Sequence, residues 1–312
     1  MQPTRRPPRP SRIPLSGHLT KTKLCVTGHH MDFYREHFTI GQIVVVAITL
    51  SQAFLIFGCG GNRFLFSGKK EIVSTPAELG LDYDEVWVET IDGVLLQGWS
   101  VPGRDDMPLI IFFHGNDANI SDFVGNLRYF NEMGFSTFIF DYRGFGKSQG
   151  QVRREEDLYS DGRSVIDYLR GLGWQPKQMI FYGHSLGAAV SLQMGLETPP
   201  AAVVLESPFT SMADIAWHTA PVTYALLGWW AMDVKFDNLK KIKYLSVPLV
   251  ILQGGQDKVV PPAMAYRLFN QAREPKAIYL IPEGGHSDLY QVGGEKYKNA
   301  WMDLAKYWKK NI

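Results

Sequence analysis

Short apolar runs of five or six residues recur along the chain, separated by stretches in which apolar residues return every three to four positions. The runs are Pro108–Phe113, Ser136–Phe140, Gln178–Tyr182, Ala201–Leu205, Val247–Leu252 and Ala277–Ile281. A run without polar alternation is what a parallel strand covered on both faces requires. The intervening patterns predict helices over Ser121–Met133, Arg153–Leu172, Leu186–Leu196, Ala263–Gln271 and Glu295–Lys309; in the last, Tyr297, Trp301, Leu304 and Trp308 share one face. Upstream, Glu85–Thr90 and Val94–Val101 surround Asp92-Gly93, a strong hairpin pair. Alternation in this order predicts an α/β fold, a mostly parallel central sheet with helices on both faces.

One insertion breaks the alternation. Phe209–Lys240 is rich in aromatic and aliphatic residues, among them Trp217, Tyr224, Trp229 and Trp230, and reads as a short cap over about 209–240. Trp217 and Trp229 are its candidate substrate-pocket residues.

The N-terminal part differs in character. Residues 1–30 carry six basic residues and no acidic one, which leaves −5 on the remainder of a chain whose formal total is +1. Rich in Pro and Arg and without periodicity, they are expected to be a disordered extension, or to be untranslated if synthesis starts at Met31. Phe38–Gly58 contains no charged residue, and as a helix would just cover a hydrocarbon core of about 30 Å. Leu55-Ile56-Phe57-Gly58-Cys59 resembles a bacterial lipobox. Residues 31–59 are therefore expected to be a membrane anchor or a lipoprotein-type signal, cleaved or uncleaved, with membrane contact through 38–58, and residues 60–83 a linker. The expected location is membrane-associated with the catalytic domain on the non-cytoplasmic side. The body, balanced to mildly acidic, offers no field for nucleic acid. Both cysteines, Cys25 and Cys59, precede it, so it has no thiolate nucleophile, disulfide or thiolate metal site.

The chemistry is carried by glycine-rich turns at strand ends. Met179-Ile180-Phe181-Tyr182 leads into Gly183-His184-Ser185-Leu186-Gly187 and then a helix. A nucleophile on so tight a strand-to-helix turn needs glycines where a Cβ would strike neighbouring backbone. Serine needs a base and the base an orienting acid. Asp257, after Val247–Leu252, and His286, after Ala277–Ile281, follow successive strands in the right order, with Glu206 as the rival acid. An oxyanion needs two preorganised N–H donors, and the candidates are Leu186 and Asn116, the latter in the turn His114-Gly115-Asn116-Asp117. Asp141–Ser148 reads as a structural loop on the site wall, with Tyr142 as a further pocket candidate. The set requires no metal or cofactor.

Taken together, FFHGN, DYRGFGKS, GHSLG, ESPFTS, GGQD and GGHSD resemble the α/β-hydrolase superfamily over residues 84–310. Within it the chain is similar to membrane-associated hydrolases that include acyl-protein thioesterases, and to bacterial serine aminopeptidase-like proteins; it lacks the cysteine-rich N-terminus of the depalmitoylating members. The resemblance implies the α/β-hydrolase fold over 84–312 and a Ser185–Asp257–His286 triad, but transfers no substrate. The expected function is hydrolysis of a carboxylic ester or thioester through an acyl-enzyme, on a small-molecule or acyl substrate. A peptidase or amidase, and a non-catalytic interaction module held at a membrane, are the competing expectations. Oligomeric state is not legible.

Overall fold

The computed structural model describes residues 66, 68–225 and 234–311. Its frame is an eight-stranded sheet: β1 (Asp84–Glu89), β2 (Leu95–Val101), β3 (Leu109–Phe113), β4 (Ser136–Phe140), β5 (Met179–His184), β6 (Ala202–Glu206), β7 (Leu249–Gly254) and β8 (Lys276–Ile281). Their spatial order is β1-β2-β4-β3-β5-β6-β7-β8. β1 pairs antiparallel with β2, and β2 with β4; every later pairing is parallel. The hairpin falls at Asp92-Gly93 as expected, Gly93 taking φ +78° and donating its N–H to the Thr90 carbonyl. The five central strands β3 to β7 are buried along nearly their whole length, which is why their sequences read as unbroken apolar runs.

Side chains alternate between two cores, one on each face of the sheet. Ile111, Phe113, Phe138, Phe140, Phe181, Val203 and Leu205 point into one core. It is closed by helices α2 (Glu155–Gly171), α3 (Leu186–Glu197) and α5 (Pro262–Gln271) through residues such as Leu158, Val190 and Leu268. Ile110, Phe112, Ile139, Ile180, Tyr182 and Val204 point into the other. There α1 (Val124–Glu132) and α7 (Gly294–Asn311) cover them with Leu127, Phe130, Tyr297, Trp301 and Leu304. Each buried Phe, Leu or Ile adds about 1.5–3 kcal/mol of transfer free energy, so the two-faced burial dominates stability. Two further helices matter for the site: α4 (Met212–Thr219) after β6 and the short α6 (Leu289–Val292) after β8.

The segment expected to be a linker differs from that expectation where it is described. Residues 68–83 lie on the body: Tyr83 packs edge-on against Trp99 with ring centroids 5.6 Å apart, Ile72 and Leu81 join the second core, and Lys69 pairs with Asp122 at 2.7 Å. Pro76–Leu79 forms a 3₁₀ turn ended by Gly80 at φ +73°. Isolated apolar residues among polar ones give no periodic signal, although each finds a place in the packed body.

The basic extension 1–30, the segment 31–59 with the uncharged run 38–58, and Trp229 lie outside the described residues. Among the described residues, no helix is long and apolar enough to cross a membrane.

Candidate active site

Ser185 stands between β5 and α3 with φ +53° and ψ −113°, a left-handed conformation that an L-residue holds only where its surroundings enforce it. The flanking glycines supply that enforcement. A Cβ on Gly183 would run into the Gly187 carbonyl, and one on Gly187 into the Phe113 carbonyl. The Ser185 N–H donates to the Glu206 carbonyl at 2.9 Å, which ties the turn to the neighbouring strand end.

His286 reaches this turn from the loop after β8. Its Nε2 lies 3.0 Å from the Ser185 Oγ, and its Nδ1 lies 2.8 Å from the Asp257 Oδ2. Asp257 itself accepts the Val259 and Val260 N–H groups on Oδ1, at 2.9 and 2.8 Å. Burial pushes its carboxyl up, but the His286 ring and these two amides outweigh burial, and its pKa falls below the ordinary value. An ionised Asp257 accepts only, so Nδ1 of His286 carries the hydrogen and Nε2 is free to take one from Ser185. The loops interlock without side chains, for a Cβ on Gly254 would strike the Gly285 carbonyl and one on Gly255 the Pro282 carbonyl.

The backbone of His286 is held from below. Its carbonyl oxygen lies 2.9 Å from the His184 Nε2 and accepts the Ser207 hydroxyl at 3.0 Å. Ser207, like Ser185, has a positive φ, +49°. Burial drives the His184 pKa down to about 4, with the nearby His286 acting in the same direction. His184 is therefore a neutral donor at neutral pH. Its place in the glycine turn gave no sequence signal for this contact.

Glu206, the rival acid, has other partners. It is buried, and its Oε2 accepts the hydroxyls of Tyr182 and Tyr297 at 3.0 and 2.9 Å. Burial raises its pKa to about 7 against the opposing effect of the two tyrosines. Of the two acids, Asp257 is the one the structure brings to His286.

The turn after β3 closes against Ser185, since a Cβ on Gly115 would contact the His184 ring at 2.9 Å and the Ser185 Cβ at 3.5 Å. Beneath it His114, fully buried, approaches the Gly115 carbonyl with Nδ1 at 2.8 Å and the Asp141 Oδ1 with Nε2 at 3.3 Å. Asp141 also accepts the Ile120 N–H at 3.0 Å, so one buried carboxyl braces both ends of the turn. Asn116 and Leu186 line a cavity of about 600 Å³ together with Ser185 and His286.

Two pocket expectations need correction. Tyr142 is fully buried; its hydroxyl donates to the His114 carbonyl at 3.3 Å, and its ring packs against His114 and Phe145 under the site. Trp217 lies on the outer side of α4, 57 % exposed, while Met212 and Ile215 of the same helix line the cavity. Helical periodicity decides this, because residue 217 falls about 200° around from 215. Other lining residues escaped sequence reasoning: Phe66, Phe123, Asn126, Phe209 and Tyr290. Phe209 lies in the ESPFTS stretch, but the others sit in no motif, and the topology alone gathers them. The Asp141–Ser148 loop is structural as expected, with Arg143, 8 % exposed, held by Asp161 and Asp92 at 2.7 Å each. Among the described residues no group of His, Cys, Asp or Glu could hold a metal ion.

The sheet order, the strained serine at the end of β5 and the Asp–His pair after β7 and β8 define a hydrolase of the α/β type. A family model described as serine aminopeptidase, S33, matches residues 106–246. The uncharacterized protein YfhR of Salmonella typhi is 32 % identical over 280 residues, covering 84 % of this chain and 90 % of that protein. An uncharacterized protein of Mycobacterium tuberculosis, Rv2307c, is 30 % identical over 261 residues, 81 % of this chain and 89 % of the relative. The alpha/beta hydrolase domain-containing protein WAV2 of Arabidopsis thaliana is 29 % identical over 290 residues, 86 % of this chain and 92 % of that one. Among solved structures, the Pyrococcus furiosus esterase Pf2001 superposes with a TM-score of 0.65 at 19 % identity, covering 78 % of this chain and 98 % of the esterase. The chain belongs to the α/β-hydrolase superfamily.

Proposed function

We propose that the protein is a serine hydrolase that cleaves a carboxylic ester or thioester through an acyl-enzyme. The observation that carries this reading is the hydrogen-bonded series Ser185–His286–Asp257 opening into a cavity with an apolar wall. In the first half-reaction the Ser185 Oγ attacks the carbonyl carbon while its proton passes to the His286 Nε2. The negative charge that develops on the carbonyl oxygen is met by the N–H groups of Asn116 and Leu186. As the intermediate collapses, His286 returns the proton to the departing oxygen or sulfur, leaving the acyl group on Ser185. Water, deprotonated by His286, repeats the sequence and releases the acid. Asp257 keeps the histidine tautomer fixed and offsets its transient charge. No metal or organic cofactor enters any step.

The acyl preference is supported by Phe66, Phe209, Met212, Ile215 and Val260 on one side of the cavity, since apolar lining favours an apolar group. The protein is further proposed to be held at a membrane through residues 38–58, with its catalytic body on the non-cytoplasmic side. Ser185→Ala is expected to abolish labelling by a fluorophosphonate and to lower ester turnover by several orders of magnitude while leaving the fold intact. Labelling that survives the substitution overturns the assignment. A second reading, amide hydrolysis, draws support from the description of the matching family model. Comparing p-nitrophenyl esters of increasing chain length with aminoacyl p-nitroanilides on one preparation separates the two.

A further inference from the structure

Three turns meet at one backbone oxygen, the carbonyl of His286. One donor to it is the His184 Nε2 at 2.9 Å, from the nucleophile turn; the other is the Ser207 hydroxyl at 3.0 Å, from the turn after β6. A carbonyl oxygen has two lone pairs, so this acceptor is saturated. Both donors are tied to Ser185 as well. His184 precedes it in the chain, and Glu206, the residue before Ser207, accepts the Ser185 N–H on its carbonyl at 2.9 Å. The Ser207 N–H in turn donates to the Leu252 carbonyl at 2.9 Å, which seats the turn against β7. The 3.0 Å separation of the Ser185 Oγ and the His286 Nε2 is thus spanned by two short series of contacts that bypass the side chain of Asp257.

Ser207 is strained where it stands. It is fully buried and has φ +49°, a conformation in which glycine is at ease and a residue with a Cβ is not. Glycine would make the same turn without strain, but it would leave one lone pair of the His286 carbonyl empty. The hydroxyl is what serine supplies at this position and glycine cannot. Its use follows from the motion the base must make. His286 takes a proton from the Ser185 Oγ and gives it up to the leaving atom, so its ring must swing through a small angle without losing reach of either. An anchor on the main chain fixes the pivot and leaves the ring free, whereas the bond from Nδ1 to Asp257 holds only the ring.

We propose that Ser207 is a positioning residue for the general base: its hydroxyl, together with the His184 N–H, pins the His286 carbonyl so that the imidazole stays within reach of Ser185. The proposal rests on the serine-hydrolase reading above and deepens it. The role is one of placement, since a fully buried Ser207 touches neither substrate nor reacting atoms.

Two substitutions, Ser207→Gly and Ser207→Ala, separate placement from folding. Both remove the hydroxyl, but glycine relieves the positive φ and alanine keeps it. Activity is expected to follow the hydroxyl: kcat on p-nitrophenyl butyrate falls by about tenfold or more in both variants, the scale on which small misplacements of a catalytic group act, with KM near the wild-type value. The rate of fluorophosphonate labelling should fall in step, because that reaction needs the same base. Stability is expected to follow the backbone, so Ser207→Gly melts above Ser207→Ala. Wild-type kcat in Ser207→Gly, activity that tracks melting temperature across the pair, or a loss confined to KM overturns the role. On the other donor, His184→Gln has a carboxamide N–H able to serve the same carbonyl and should keep more of kcat than His184→Phe, a ring without the donor; equal losses remove His184 from the clamp. Absence of Ser185-dependent labelling in the wild type is a separate result and takes down the hydrolase reading itself. Normal labelling in the wild type that is undiminished in Ser207→Gly sinks the positioning role alone.

Discussion

At the scale of single residues, the two acids of the site are separated by what surrounds them. Asp257 gains two backbone N–H bonds and a histidine, whereas Glu206 meets two phenols in an otherwise apolar core. Asp257→Asn is accordingly expected to lower kcat by about 10⁴, because an amide at this position favours the wrong histidine tautomer. Glu206→Gln should leave kcat near the wild-type value, since the glutamine carbonyl can still accept both tyrosine hydroxyls. Its effect belongs to stability. The folded-state pKa of Glu206, about 7, lies above its ordinary 4.5, so the folded protein retains this proton when the unfolded chain has lost it. Its contribution to stability is complete below about 4.5 and is lost as the pH rises through about 7. Between pH 5 and 8 the wild type should lose roughly 3 kcal/mol more than Glu206→Gln, at 1.36 kcal/mol per pKa unit. Urea midpoints of both proteins at the two pH values measure the difference; parallel curves would mean that Glu206 is ionised in the folded protein throughout.

At the scale of elements, the strand ends carry the chemistry and the glycines between them set the distances. Gly187 opens α3 directly beneath the end of β3, where an added methyl meets the backbone carbonyl of Phe113 rather than a side chain able to turn away. Gly187→Ala is therefore expected to destabilise the fold by about 1–3 kcal/mol or more, the range for overpacking, and to lower activity beyond the stability loss by displacing the Leu186 N–H. Thermal unfolding and kcat, measured together well below the transition, distinguish the two effects. This level was also the most legible in the sequence. Each of the eight strands lies within two residues of its predicted run at either end, and Ser185, Asp257 and His286 follow the ends of β5, β7 and β8 in the order the fold requires. The pocket was less legible for a physical reason. A strand buried on both faces imposes its pattern on consecutive residues, but a cavity wall collects single side chains from distant loops, such as Phe66, Asn126 and Tyr290, whose neighbours in sequence say nothing of them. Trp217 shows the converse, an aromatic residue in the right insertion turned outward by one step of helical phase. The clamp on the His286 carbonyl was hidden in another way, because a backbone acceptor leaves no mark in the sequence of the loop that carries it.

At the scale of the whole molecule, the body extends upstream of the first strand, and this decides where the chain can be cut. Phe66 lines the cavity and packs near Phe236, a Cβ on Gly68 would strike the Phe145 ring, and Lys69 pairs with Asp122. The Asn119 side chain, which begins the turn before α1, donates to the Glu71 carbonyl at 2.6 Å and accepts the Ser121 N–H at 2.9 Å. Removal of residues 1–65 should thus leave an active hydrolase. Removal of residues 1–83 strips Ile72, Leu81 and Tyr83 from the second core and opens one side of the cavity. Such a truncation is expected to lose several kcal/mol of stability and most of its selectivity for apolar acyl chains. The two truncations also separate catalysis from location. With residues 1–65 absent, activity on a soluble ester should persist while association with a membrane fraction disappears. In the full-length chain, Cys59→Ser should abolish lipid labelling and size processing if a lipid is the anchor, and change neither if the uncharged run 38–58 spans the bilayer. A full-length protein recovered entirely in the soluble fraction would rule out both forms of tethering, and a 1–83 truncation as stable and selective as the 1–65 one would show that residues 66–83 are dispensable to the body.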